Sequence, residues 1–180
     1  MEQAPLAHDW KLDYSWWRID EGSVVKNRLL YQLCNMMRAQ STLEIGVGRY
    51  GNGVYWFGTH AKETGNVHTA IDIHSGNLGR AQTVIDDFDL PVVLLGHDSK
   101  AVVWNKKINI CYVDGGHSYE QVCGDIDNFS KWITRNGLMI FDDYGKLHLQ
   151  VTEAVNDKHD PELFDMMVWP WCWWAIWKRK

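Results

Sequence analysis

The chain has little that marks a secreted, membrane-spanning or nucleic-acid-binding protein. Its four cysteines, Cys34, Cys111, Cys123 and Cys172, show no CxxC or zinc-type spacing. Cys111 sits inside an apolar run, where a free thiol behaves as a small hydrophobe, and a reducing compartment is the simpler setting. No apolar segment reaches the roughly 20 residues that span a bilayer. The stretch MEQAPLAHDWKLDYSWW has no basic region followed by an apolar one, so no signal peptide is read there. A net charge of −5 leaves no basic footprint for nucleic acid. Repeats, low-complexity tracts and linkers are lacking too. These absences predict a cytoplasmic protein with no membrane or nucleic-acid partner. At 180 residues it reads as one domain, 1–180, large enough to bury a core.

What the chain does have is a regular alternation. Short apolar runs rich in β-branched residues lie at 42–47, 67–73, 92–96, 108–114 and 138–142. Between them, Leu78, Ala81, Ile85 and Phe88 recur at helical spacing, as do Val122, Ile126, Phe129 and Ile133. Asn136-Gly137 reads as the stop of that second helix. Ahead of the first strand, Val25, Leu29, Leu33 and Met36 suggest another helix with Ser23 as its N-cap. Residues 151–158 suggest a last helix, and 164–169 with 172–177 a hairpin around Pro170. The predicted class is α/β, Rossmann-like and doubly wound, a mostly parallel sheet closed by a C-terminal antiparallel β-hairpin.

Two strand ends are acidic: VDGGHSYE at 113–120 and MIFDDY at 139–144. Ligands bind at the carboxyl ends of strands in an open parallel sheet. If these strands are neighbours, Asp114, Asp142 and Asp143 converge. Three ionised carboxylates need a compensating cation. The cluster therefore predicts raised pKa values or a hard divalent ion such as Mg²⁺, which prefers oxygen ligands. Glu120, Asp125 and Asp127 read as the solvated face of the following helix.

The first strand runs into EIGVGRYGNG, where Gly46, Gly48 and Gly51 spell GxGxxG. Glycines there let a backbone approach a ligand at a helix start. Asp72 ends the second strand, at the distance where an acid meets a ribose. Alone, this pattern also suits an NAD-type oxidoreductase. Against that reading, Glu44 stands where a pyrophosphate turn usually has an apolar residue, and no separate substrate domain fits. A tight turn that binds nothing is the bland alternative.

The order EIGVG, AIDIH, GHDS, VDGGHSYE and NGLMIFDDY resembles the class I S-adenosylmethionine-dependent methyltransferases. It is most similar to small O-methyltransferases with a DGxHxY strand end followed by DDY, over about residues 21–155. The resemblance implies that Glu44, Gly46 and Gly48 shape the pocket for the methionine part of S-adenosylmethionine. It implies that Asp72 accepts from the ribose hydroxyls and that Asp98 and Ser99 lie beside the adenine. Asp114, Asp142 and Asp143 fall where metal-dependent members hold Mg²⁺. Tyr50 stands where many relatives have the third glycine, with Gly51 its substitute. The implied activity is Mg²⁺-assisted O-methylation of a small hydroxylated molecule, with Asp114 and His117 catalytic. His117 is the expected base, since histidine titrates near neutrality; a helix cap or loop tie is its structural alternative. Asp143 could orient the metal ligands rather than join them, or Asp114 could orient the substrate without any metal. A non-catalytic relative that binds a partner is the remaining alternative.

The 11 tryptophans are the oddest item of composition, five of them in VWPWCWWAIW. A closing hairpin is the preferred reading, with Trp169, Trp171 and Trp173 on one face and Cys172, Trp174 and Ile176 on the other. An aromatic homodimer interface and an interfacial membrane anchor are the alternatives. Residues 1–22, with Trp10, Tyr14, Trp16 and Trp17, are a candidate lid over the site. His74, directly after the apolar run 67–73, is a candidate for the cofactor rim, and His97 precedes Asp98; His8, His60, His68, His148 and His159 read as surface or packing residues.

Overall fold

A computed structural model describes residues 21–145 and 148–180. The aromatic segment read as a lid lies almost wholly outside the described residues. Five strands run parallel: β1 (Ser41–Ile45), β2 (Val67–Ile71), β3 (Val92–Leu95), β4 (Ile108–Val113) and β5 (Ile133–Phe141). Two more, β6 (Phe164–Trp169) and β7 (Trp174–Arg179), form the antiparallel closing hairpin. The sheet order is β3-β2-β1-β4-β5-β7-β6, with β7 antiparallel to β5. The chain winds outward from β1 to β3, then returns beside β1 as β4. That reversal opens a crevice at the strand carboxyl ends.

Alternation along the strands builds two layers. Leu43, Cys111, Val113, Met139, Phe141 and Trp177 face one cluster, shared with α4 (Tyr119–Phe129) and α5 (Leu149–Lys158). Ile110, Tyr112, Leu138, Ile140, Trp174 and Ile176 face the other, under α1 (Glu21–Met37) and α2 (Asn52–Thr64). A third cluster joins α2 to α3 (Ser75–Phe88) through Val54, Ala81 and Ile85. No helix among the described residues is long and apolar enough to cross a membrane.

Several local readings need correction. The helix holding Val122, Ile126 and Phe129 ends there; Ile133 instead opens β5 and pairs with Ile108. Asn136 adopts φ +62 and Gly137 packs against the Asn109 carbonyl, so the Asn-Gly pair makes a bulge inside a strand. In α1 the buried stripe carries Leu30 and Cys34, whereas Met36 is 81% exposed. Ser23 lies within α1 and is not its cap. In the hairpin, Trp169 stacks on Trp174 and shares its face with Cys172 and Ile176. Trp171, at the turn, is 95% exposed. A 3₁₀ turn over Pro170–Cys172 breaks the alternation the sequence suggested.

Candidate active site

Backbone hydrogen bonds run one residue past each strand end and set the site in a row. The Gly46 amide donates to the Ile71 carbonyl (2.8 Å), and Asp72 to Leu95 (3.1 Å). The Asp114 amide donates to Ile45 (2.8 Å), and Asp142 to Val113 (3.0 Å). Parallel pairing thus places three of the expected carboxylates along one edge by register alone. Gly46, at φ +86, passes so close that a Cβ would collide with the Asp114 carbonyl. Only glycine fits that approach.

Above this row lies a cavity of about 400 Å³ lined by Gly46, Asp72, Asp98, Ser99, Asp114 and His117, among others. Gly48 and Asp143 also border it. Eight of the residues singled out from the sequence therefore share one cavity. Gly51 adopts φ +61 as the N-cap of α2, where a Cβ would lie 3.4 Å from the Ala81 Cα.

Asp72 is held from three sides. Its Oδ2 accepts from the Val47 amide (3.1 Å) and Asn77 Nδ2 (3.1 Å), and its Oδ1 from the His74 amide (2.7 Å). A carboxylate so fixed presents its remaining lone pair in a set direction. Asp98 caps the 3₁₀ turn Ser99–Ala101 by accepting from the Lys100 amide (3.0 Å). The Ser99 hydroxyl donates to Asp125 Oδ1 (2.5 Å). Asp125 is a correction to the sequence reading: it is 2% exposed and borders the cavity. Burial pushes its carboxyl up to about 6, with the Ser99 hydrogen bond opposing.

Glu44 does not line the cavity. It is 2% exposed and lies under Gly53, where any Cβ would collide with its carboxylate. Burial, then Asp114 and Asp72, raise its pKa well above the ordinary value. Its Oε2 lies 3.6 Å from His68 Nε2, and neither atom has a hydrogen-bond partner. Burial pushes His68 down to about 3, so burial acts against charge on both partners of this contact.

At the end of β4, Ser118 caps α4 by accepting from the Gln121 amide (3.3 Å). Helix capping is therefore not the task of His117, which precedes the cap. Its Nε2 lies 2.9 Å from Asp143 Oδ2. His148 Nε2 lies 3.7 Å from the same oxygen, and its ring stacks on His117 at 4.0 Å. Asp143 is held at φ +58.

The expected Mg²⁺ set does not form as the sequence suggested. Both Asp142 oxygens accept from Lys26 Nζ (2.7 and 3.1 Å), and Oδ2 also accepts from the Tyr112 hydroxyl (3.0 Å). Asp143 faces the histidines instead. Among the described residues, the group of three His, Cys, Asp or Glu ligand atoms within 4.8 Å of one another is His117, Asp143 and His148. Asp114 is raised well above the ordinary carboxylate range by burial, then by Asp142 and Asp143, while Lys26 pulls it down. An octahedral ion demands free oxygens at close range; this donor set does not fit one. Lys26, Tyr112, Asp125 and His148 are the site residues that the sequence reading missed.

Residues 43–144 match the model of a family described as a methyltransferase domain, which is more than half of the chain. Similar solved structures include an apo TDP-rhamnose 3′-O-methyltransferase of calicheamicin biosynthesis, 14% identical (TM-score 0.74, covering 97% of this chain and 87% of that one). A Podospora anserina methyltransferase bound to S-adenosylhomocysteine is 12% identical (TM-score 0.71, 92% and 85%). An N-methyltransferase from Bradyrhizobium japonicum WM9, also bound to S-adenosylhomocysteine, is 16% identical (TM-score 0.61, 91% and 91%). At such identities the likeness establishes the shared fold.

Proposed function

Because the chain belongs to the methyltransferase-domain family, we propose that it methylates a hydroxyl of a small acceptor, using S-adenosylmethionine. The observation that carries this reading is the single cavity bordered by Asp72 on one side and His117 on the other. Its volume, about 400 Å³, lies in the range of small-molecule sites. When bound, S-adenosylmethionine supplies a methyl group on a cationic sulfur.

Each residue then has a task. The left-handed Gly46 and Gly48 keep the first turn low enough for a close approach. Asp72, held by three donors, receives the ribose hydroxyls. Ser99, tied to Asp125, fixes the wall expected beside the adenine. His117 takes the proton of the acceptor hydroxyl, and Asp143 beside it orients the ring and balances the charge it gains. S-adenosylmethionine held there would offer its methyl carbon to that oxygen, with the carbon–sulfur pair of electrons left on sulfur.

Fold likeness extends to both O- and N-methyltransferases. Oxygen is favoured here because a neutral amine attacks without losing a proton first, whereas a hydroxyl needs a base. The His117–Asp143 pair provides one at the cavity rim. The test is to incubate the protein with methyl-labelled S-adenosylmethionine and a panel of hydroxylated sugars, phenols and amines. Label on oxygen supports the reading; label confined to amines contradicts it.

A further inference from the structure

Lys26 belongs to none of the sequence motifs, yet α1 delivers it to a carboxylate 116 positions away. Its ammonium donates to both oxygens of Asp142, at 2.7 and 3.1 Å. The pair is largely withdrawn from water, with side-chain exposures of 22% and 8%. Tyr112 completes the unit, its hydroxyl 3.0 Å from Asp142 Oδ2 and 3.5 Å from Asp114 Oδ2. Burial and the flanking carboxylates raise the Tyr112 phenol well above its ordinary range, so it serves as a neutral donor.

Converging carboxylates are relieved either by raised pKa values or by a nearby positive charge. At this strand end the chain provides its own. We propose that the Lys26 ammonium is the resident cation of the Asp114–Asp142 pair and occupies the electrostatic place of a divalent metal. The inference rests on the methyltransferase reading only for the purpose of the site, not for the geometry. A metal entering here would have to displace a bidentate ion pair and then sit beside a second cation. Two cations sharing a half-buried site repel strongly because little solvent screens them. Lys26 is thus a positioning residue: it holds Asp142, and through Tyr112 it holds Asp114, which lines the cavity.

The test reads metal directly. Wild-type protein, K26M, K26Q and K26R are titrated with Mn²⁺, followed by electron paramagnetic resonance and calorimetry. Circular dichroism checks folding, and K26Q replaces K26M should the latter fail to fold. Wild type and K26R are expected to show no saturable Mn²⁺ uptake. The neutral variants, which leave Asp142 without its cation, are expected to take up one Mn²⁺ saturably, with a midpoint at least about tenfold below the highest concentration at which wild type takes up none. The further change D142N in either neutral variant should abolish that gain. Saturable uptake of one ion by wild type, lost in D142N, overturns the proposal. So does equal silence from wild type and both neutral variants, because Lys26 would then exclude nothing. S-adenosylhomocysteine is titrated into the same wild-type sample. Its failure to bind would sink the methyltransferase reading and leave the Lys26 assignment standing.

Discussion

His117 Nε2 lies 2.9 Å from Asp143 Oδ2, and this contact joins the carboxyl ends of β4 and β5. It gives the expected base an orienting partner from a different strand. Replacing the base should therefore slow transfer without loosening the cofactor site on the far side of the cavity. H117A is expected to lower kcat by roughly 10²–10⁴, the usual contribution of general base catalysis. D143N should lower it less, and both should leave S-adenosylhomocysteine affinity unchanged. Steady-state rates on an acceptor found by the label screen, with calorimetry on the same samples, check this.

Asp72 carries the opposite expectation. Its three donors fix a charged acceptor whose ribose partner is lost on truncation. D72A should weaken S-adenosylhomocysteine binding about tenfold or more, as removal of a hydrogen bond to a charged group implies. A titration of the variant that matches wild type contradicts the role.

Asp125 makes stability depend on pH. The folded chain keeps its proton up to about pH 6, whereas an unperturbed aspartate titrates near 3.8. Stability linked to that proton is complete below pH 3.8 and is lost as pH rises through about 6. The gap between 3.8 and about 6 corresponds to on the order of 3 kcal/mol. His68, pushed down to about 3, slopes the other way over the range below its ordinary value. The informative quantity is therefore the difference between wild type and D125N. Denaturant midpoints from pH 3.5 to 7 should show wild type losing stability relative to D125N as pH rises.

The tryptophans separate by burial. Trp177 packs edge-on to Phe141 (4.8 Å) and against Phe164 (5.4 Å). W177A should cost about 3–5 kcal/mol, the usual loss for a large buried aromatic. W171A, at the exposed turn, should change stability by less than about 0.5 kcal/mol. Urea unfolding of the two variants gives the comparison.

Much of this was legible because it is local. The glycine turn, Asp72 and the two acidic strand ends each follow directly from an apolar run, and parallel pairing then aligns them. Ile133 misled because it continues the helical spacing of Phe129, although the turn at Ser130–Trp132 redirects it into the sheet. Asp125 carried a usable signal: it sits three residues after Val122 and four before Phe129, on the apolar stripe of α4. Lys26 carried none. Its partner is set by how α1 docks on the sheet, and no spacing in the sequence encodes that distance. His148 is likewise placed by the chain's path after β5, not by a motif.

The proposed methyl transfer requires that the cavity bordered by Asp72 and His117 hold S-adenosylmethionine. The most direct measurement is calorimetric titration of S-adenosylmethionine and S-adenosylhomocysteine into wild-type protein, with NAD as a control. Saturable binding of both sulfur nucleosides at one site per chain, and no binding of NAD, is expected. Binding of NAD alone, or of none of the three, contradicts it.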